Sequence, residues 1–181
     1  AINDFKPHAV MSVDNAHGKI PSSTLITEFN DFGKIQTIED EGGGKSMDFV
    51  YGPDMERWTS YRTTNGNLSR TTIYAGDYEK ITEDGTTREF YYLDGNTIII
   101  KENGMFKPYL AFTDNLGSIL TVVDGKGSKV FSAFYDAWGN QTVTIDSIGL
   151  HRGYTGHEML LEFGIINMNG RLYDSMLGCF F

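Results

Sequence analysis

Thr113-Asp114-Asn115-Leu116-Gly117 and Tyr135-Asp136-Ala137-Trp138-Gly139 are the two phrases on which the fold turns. Each runs from an aromatic or small residue through Asp and two variable positions to Gly, and their starts lie 22 residues apart, at 113 and 135. Phe29-Asn30-Asp31-Phe32-Gly33 is a third copy, and Tyr173-Asp174-Ser175-Met176-Leu177-Gly178 is a stretched fourth. Asp or Asn at the first corner of a type I turn, followed by Gly three residues on, marks a hairpin. The short side chain bonds the turn backbone, and Gly supplies the left-handed residue that starts the returning strand. Hairpins at a fixed period point to a sheet built by repetition.

Working outward, the chain alternates short β-type runs with turn dipeptides. Asn65-Gly66, Asp84-Gly85, Asp94-Gly95 and Asn103-Gly104 each separate β-branched or aromatic runs, a strong short-range hairpin signal. Gly52-Pro53-Asp54 follows Tyr51, which stands 22 residues after Phe29 as a degenerate copy of the phrase. Asp124-Gly125-Lys126-Gly127 is a further turn, and Glu39 to Lys45 with its three glycines is a loop. That glycine run lacks the first Gly of a phosphate-binding loop and precedes no helix. Before residue 150 no window sustains apolar positions at helical spacing. The expected fold is all-β: a twisted, curled antiparallel sheet of hairpins, with a short helical turn near residues 157–163. Residues 1–23 are expected to be irregular or frayed.

Bulk composition narrows the function classes. There are 21 Gly and only 4 Pro, so turns rely on Gly and Asn/Asp rather than on rigid corners. The 10 Tyr, 12 Phe and 2 Trp suit cross-strand pairing. A net charge of −9 argues against a nucleic-acid partner, which needs clustered Lys and Arg. Cys179 is the one cysteine, so no intrachain disulfide forms. Apolar runs such as Ile98-Ile99-Ile100 are too short to span a bilayer as a helix. Phe180-Phe181, directly after a turn phrase, reads as a strand cut short, and the chain is expected to be part of something longer.

In order and spacing, residues 113–178 are specific. The two opening phrases are followed by Arg152-Gly153-Tyr154-Thr155-Gly156-His157-Glu158, then by Gly170-Arg171-Leu172-Tyr173-Asp174 and Leu177-Gly178. This closely resembles the RHS repeat-associated core module of RHS/YD-repeat proteins, with wording similar to the Bacteroides-type version. The upstream copies resemble degenerate YD repeats, so the likeness covers residues 24–181. The resemblance implies YD repeats over 24–112 and a core module, truncated at its C-terminus, over 113–181. It also implies a β-strip that spirals into a hollow shell in large exported or cell-surface proteins, with a variable C-terminal segment, often a toxin, after the core.

Each chemical candidate meets a structural alternative. By resemblance, Asp174 matches the Asp of a segment that performs aspartyl self-cleavage in several members. That route needs two carboxylates sharing a proton. Here Ser175 replaces a Pro, Cys179 replaces an Arg, and the chain stops before the second acidic motif, so Asp174 reads as a turn cap. His151, His157 and Glu158 have poor spacing for a metal. The alternative is a polar junction, Tyr154 to Glu158, that bonds the capping turn to the last hairpin. Cys179 with His157 lacks the orienting partner of a nucleophilic triad.

The structural motif residues are therefore Asn30, Gly33, Asp114, Gly117, Asp136, Gly139, Tyr154, Gly156, His157, Glu158, Asp174 and Gly178. No catalytic residue, metal or cofactor is expected. The expected role is structural, in a secreted or cell-surface protein. Its expected partners are the rest of its own polypeptide or a C-terminal effector, a second copy through open sheet edges, or a surface glycan held by aromatics and Asn/Asp turns. A self-cleaving remnant and a glycan- or protein-binding surface module are the alternative functions.

Overall fold

The computed structural model describes residues 2–3, 6–10, 25–40, 42, 44–93 and 96–180. Strands β1 (Ile2–Asn3) and β2 (Lys6–Val10) pair antiparallel within the segment expected to be irregular. The remainder of residues 1–23 lies outside the described residues. Then come β3 (Leu25–Phe29), β4 (Ile35–Asp40), β5 (Lys45–Tyr51), β6 (Arg57–Thr64), β7 (Asn67–Ala75) and β8 (Tyr78–Glu83). They are followed by β9 (Thr86–Leu93), β10 (Thr97–Glu102), β11 (Met105–Thr113), β12 (Ile119–Asp124), β13 (Lys129–Tyr135) and β14 (Gln141–Asp146). These twelve form one sheet in which sequence order is spatial order. The sheet crosses residue 113 without a break.

The turns follow from the residues. Asn65-Gly66, Asp84-Gly85 and Asn103-Gly104 all have positive φ at both positions (50 and 77°, 48 and 79°, 51 and 78°), as a type I′ turn requires. Asp94-Gly95 lies outside the described residues. One hairpin went unread in the sequence: Gly76-Asp77 joins β7 to β8, with Gly76 at φ 61°.

A second sheet, β15 (Glu158–Leu160), β16 (Ile165–Met168), β17 (Arg171–Asp174) and β18 (Cys179–Phe180), forms a terminal cap. The helical turn expected near 157–163 is only partly there. Leu161–Phe163 is a single 3-10 turn, whereas Glu158–Leu160 is a strand. Met159 and Leu160 face Ile166 and Ile165 across the ladder, and that pairing overrides the helix-prone composition of the segment.

The cap shows that the long sheet curls. Leu160, Phe163, Ile165 and Leu172 share one buried cluster with Ile35, Ile38, Met47 and Phe49 of β4 and β5. On its other side, Ser175 Oγ and Asn140 Oδ1, at the start of β14, are 2.7 Å apart. With strands about 4.8 Å apart, a flat sheet would put β4 and β14 roughly 50 Å from each other. One four-stranded cap touches both, so the sheet wraps around it. The concave face of β8–β13 is covered by the segment after β14, whose Ile148 and Leu150 join Ile81, Phe90, Ile98, Val122 and Phe131 in the main core. Burying each such side chain contributes about 1.5–3 kcal/mol.

Candidate functional site

The turn phrases share one hydrogen-bond scheme. Asp114 Oδ1 accepts the Leu116 and Ser118 amides at 2.9 and 2.8 Å, and Asp136 Oδ1 accepts those of Trp138 and Asn140 at 2.8 and 3.0 Å. Asn30 Oδ1 does the same with Phe32 and Lys34. Asp124 repeats the scheme with Lys126 and Ser128, although its turn was not counted among the phrases. Gly33, Gly117, Gly127 and Gly139 close these turns at φ between 75 and 92°. The Ser128 and Lys126 amides hold the Asp124 carboxyl below its usual range. The Asn140 side chain, more than burial opposes it, does the same for Asp136.

The aromatic of the phrase has its own task. Tyr51 Oη donates to the Ile35 carbonyl at 2.6 Å, and Tyr135 Oη donates to that of Ile119 at 2.8 Å. Each tyrosine thus braces the strand that leaves the preceding turn, 16 residues earlier. Each phenol also accepts a donor six residues later: Arg57 Nε at 3.2 Å for Tyr51, Gln141 Nε2 at 3.0 Å for Tyr135. Arg57 and Gln141 are therefore equivalent positions in two copies of the phrase, one charged and one neutral.

Cap and sheet meet in a buried polar junction. Glu158 is 4% exposed; its Oε1 accepts from Arg70 Nη2 at 3.0 Å, and its Oε2 from Tyr74 Oη at 2.8 Å and Asn167 Nδ2 at 2.7 Å. Arg57 Nη1 in turn donates to Asn167 Oδ1. Beside this group, Arg152 Nε donates to Glu79 Oε1 at 2.8 Å while its guanidinium lies 3.9 Å from the Tyr92 ring centre. Burial raises the pKa of Glu79 against the pull of Arg152, and Glu158 adds to the rise. Burial, then the Glu158 carboxylate, pushes the Tyr74 phenol well above its ordinary value. Sequence reading picked Glu158 but not Arg57, Arg70 or Glu79; Arg57 and Arg70 sit on strands whose buried residues are polar, and Glu79 shares the buried row of β8 with Ile81. Glu158 reaches beyond the cap's own hairpin to β7, 88 residues earlier.

Other singled-out residues are placed as follows. Tyr154 Oη donates to the Ala137 carbonyl at 3.3 Å, and the Thr155 amide donates to Ser118 Oγ at 3.1 Å. Gly156, at φ 73°, closes the 3-10 turn Tyr154–Gly156 by donating to the Gly153 carbonyl. The His157 ring bonds Thr155 Oγ1 through Nδ1, whereas His151 lies against Arg70 and Phe90, so the two histidines do not converge. Asp174 Oδ1 accepts the Met176 and Leu177 amides at 2.8 and 2.9 Å, and its carbonyl accepts from Gly178. Cys179 pairs with Asp174 in the ladder, and burial, then that carboxylate, raises its thiol. A raised thiol is a poor nucleophile near neutral pH.

A cleft of about 940 Å³ opens between the junction and the rim of β6–β8. Trp58 stands at its edge, 49% exposed. It is the extra residue of a bulge, since Val50 pairs with Thr59 and Tyr51 with Arg57. Its indole lies on Gly52, where a Cβ would come within 2.1 Å of Trp58 Cε2.

Comparison with known proteins agrees with this architecture. The family described as Teneurin YD-shell matches residues 15–181. The tRNA3(Ser)-specific nuclease WapA of Bacillus spizizenii is 30% identical over 128 residues, and the tRNA nuclease WapA of Bacillus subtilis is 31% identical over 127. Each match covers 66% of this chain and only 5% of the length of the curated relative. The solved TcdB2-TccC3 structure superposes with a TM-score of 0.70 at 14% identity, over 88% of this chain and 9% of that one. The Photorhabdus luminescens Tc holotoxin pore gives 0.72 at 13% identity, over 86% and 8%.

Proposed function

This chain belongs to the Teneurin YD-shell family, and from that premise we propose that it is a structural element, a curled strip of RHS/YD-type shell wall joined to its own closing unit. The observation that carries the reading is the cap's simultaneous contact with β4–β5 and with the start of β14. A single hairpin cannot bury its aromatic face, so stacking neighbours and a terminal closure are what stabilise such a strip.

In this reading the chain has no catalytic part. The Asp174 carboxylate is engaged by two backbone amides as a turn cap, which supports a structural use of that residue. Residues 24–112 supply repeats and residues 113–181 the core motif of one continuous wall. The relatives are far longer than this chain, which supports a wall completed by further polypeptide in an exported or cell-surface protein, with a C-terminal effector as its companion. Among the described residues β3 and β14 end the sheet, and those edges are where a continuation or a second copy would pair.

Hydrogen exchange on the 181-residue chain tests the closure. Leu160→Ala should accelerate exchange in β4 and β5 and also around Asn140, because the cap holds both ends. Faster exchange confined to β15–β17 would remove the closing role.

A further inference from the structure

Beyond the structural role, we propose that the cleft between Trp58 and the cap junction binds a neutral saccharide. Three observations on different links of the chain carry this.

The first is the platform. Gly52 has no side chain, so the indole of Trp58 packs directly against its backbone, with about half of its surface open. The bulge at this position aims the ring at the cleft rim instead of along the ordinary outward row. A fixed, exposed indole face is the apolar surface on which the C–H side of a pyranose ring stacks.

The second is a buried guanidinium with no carboxylate partner. Arg57 is 7% exposed and lines the cleft. Its partners are the Tyr51 phenol and Asn167, with the Phe49 ring 4.3 Å from its guanidinium; no carboxylate within salt-bridge range accompanies it among the described residues. Gln141 performs the same bracing of Tyr135 without a charge. Buried charges are ordinarily paired, so the guanidinium at position 57 exceeds what the repeat requires. Arg152 uses Nε on Glu79 and likewise brings guanidinium donors to the cleft.

The third is the mixture of donors and acceptors. Glu79, Glu158 and Asn167 are already held by hydrogen bonds, so they would lose little freedom on meeting a ligand. Asp54 and Glu56 add two carboxylates to the lining. Four carboxylates against two guanidiniums disfavour an anionic ligand. Burial, then the nearby Arg152, lowers the His157 pKa, so that ring adds no cation near neutral pH. Hydroxyl groups donate and accept at once, which suits fixed carboxylates alternating with fixed N–H donors.

Tryptophan fluorescence tests the assignment. In a Trp138→Phe background the only remaining indole is Trp58. The probes are glucose, galactose, N-acetylglucosamine and short oligomers of each, with glucuronate and a lysine oligopeptide as contrasts. At least one neutral sugar should shift or quench the emission saturably. Titration calorimetry with that sugar on the otherwise unchanged chain should show binding lost in Trp58→Ala and weakened at least tenfold in Arg57→Gln, with far-UV circular dichroism of both variants unchanged. Arg57→Gln copies the Gln141 arrangement, so it keeps the brace. Silence across all neutral sugars, binding of glucuronate or oligolysine alone, or full retention of sugar binding in Trp58→Ala overturns the proposal. Each of those results leaves the wall-and-cap reading in place.

Discussion

Arg70 and Glu158 lie 88 residues apart in sequence and 3.0 Å apart in space, with 3% and 4% of their side chains exposed. Arg70 belongs to β7, near the middle of the long sheet, and Glu158 opens the cap. A buried ion pair of this kind is a demanding way to join two units. Desolvation of both groups offsets much of their attraction, and the pair holds only while the remaining lone pairs are bonded. Tyr74 and Asn167 meet that condition for Glu158. The junction therefore sets where the cap sits, while the apolar cluster of Leu160 and Phe163 with β4–β5 supplies most of the attraction.

Removing one member of the pair should cost far more than removing both. Glu158→Ala strands Arg70 in the interior and should lower unfolding stability by about 3–5 kcal/mol. The double variant Arg70→Met with Glu158→Leu should recover at least half of that loss. Urea unfolding with a double-mutant cycle measures both terms. Additive losses would show that the two side chains do not interact.

Glycines that close the turn phrases should differ in tolerance according to what the cap places beside them. Gly33, at φ 75°, has no atom within 4 Å of a built Cβ, so Gly33→Ala should cost only the left-handed backbone term, about 1–2 kcal/mol. Gly139, at φ 92°, would put its Cβ 2.7 Å from Tyr154 Cδ1 and 3.0 Å from Ile166 Cδ1. Gly139→Ala should therefore cost about 1–3 kcal/mol more through overpacking. Equal midpoint shifts in thermal unfolding would mean that Tyr154 does not press on that turn.

Much of the wall was legible in the sequence because its determinants are local. Asp114 to Gly117 carries its own acceptor, its own left-handed residue and its own strand flanks, and so does Asn103-Gly104. Gly76-Asp77 was passed over because Ile73-Tyr74 and Tyr78 read as one continuous run. The junction was not legible. Arg70, Thr72 and Tyr74 form the inward row of β7, and an Arg-Thr-Tyr row reads as solvent-facing until the cap covers it. The strand at Glu158–Leu160 was hidden for the same reason, since its ladder partner Ile165–Asn167 is what selects extended backbone over a helical turn.

Asp174 should behave as a structural cap. Asp174→Ala removes the acceptor of the Met176 and Leu177 amides and should lower stability by roughly 1 kcal/mol. The intact mass of the chain should stay constant on prolonged incubation at any pH between 4 and 8, in wild type and variant alike. Fragments that appear in wild type and vanish in Asp174→Asn would establish self-cleavage instead.

Acid sensitivity should begin well above the carboxylate range, and its source should be His151. Burial first, then the Arg70, Arg88 and Arg62 guanidiniums, hold that imidazole down to about 3. Its Nε2 is enclosed without a partner, and its ring meets Phe90 edge-on, so the protonated form is not accommodated. In the unfolded chain the same ring titrates near 6.5. The unfolded state therefore takes up the proton first as pH falls. Stability should decline from about pH 6.5 down toward pH 3 and change no further on this account below that, a loss on the order of a few kcal/mol. Asp124 and Asp136, whose carboxyls are lowered, lose their contribution only below about pH 4. Glu79, whose carboxyl is raised, acts in the opposite sense, because the folded state takes up its proton first. The difference between wild type and His151→Phe isolates the imidazole, since phenylalanine keeps the ring against Phe90. Urea midpoints measured at half-unit steps from pH 7.5 to 4.5 should fall for wild type relative to the variant. Parallel curves would assign the acid response to His157, whose imidazole pKa is also lowered by burial, and to the carboxylates.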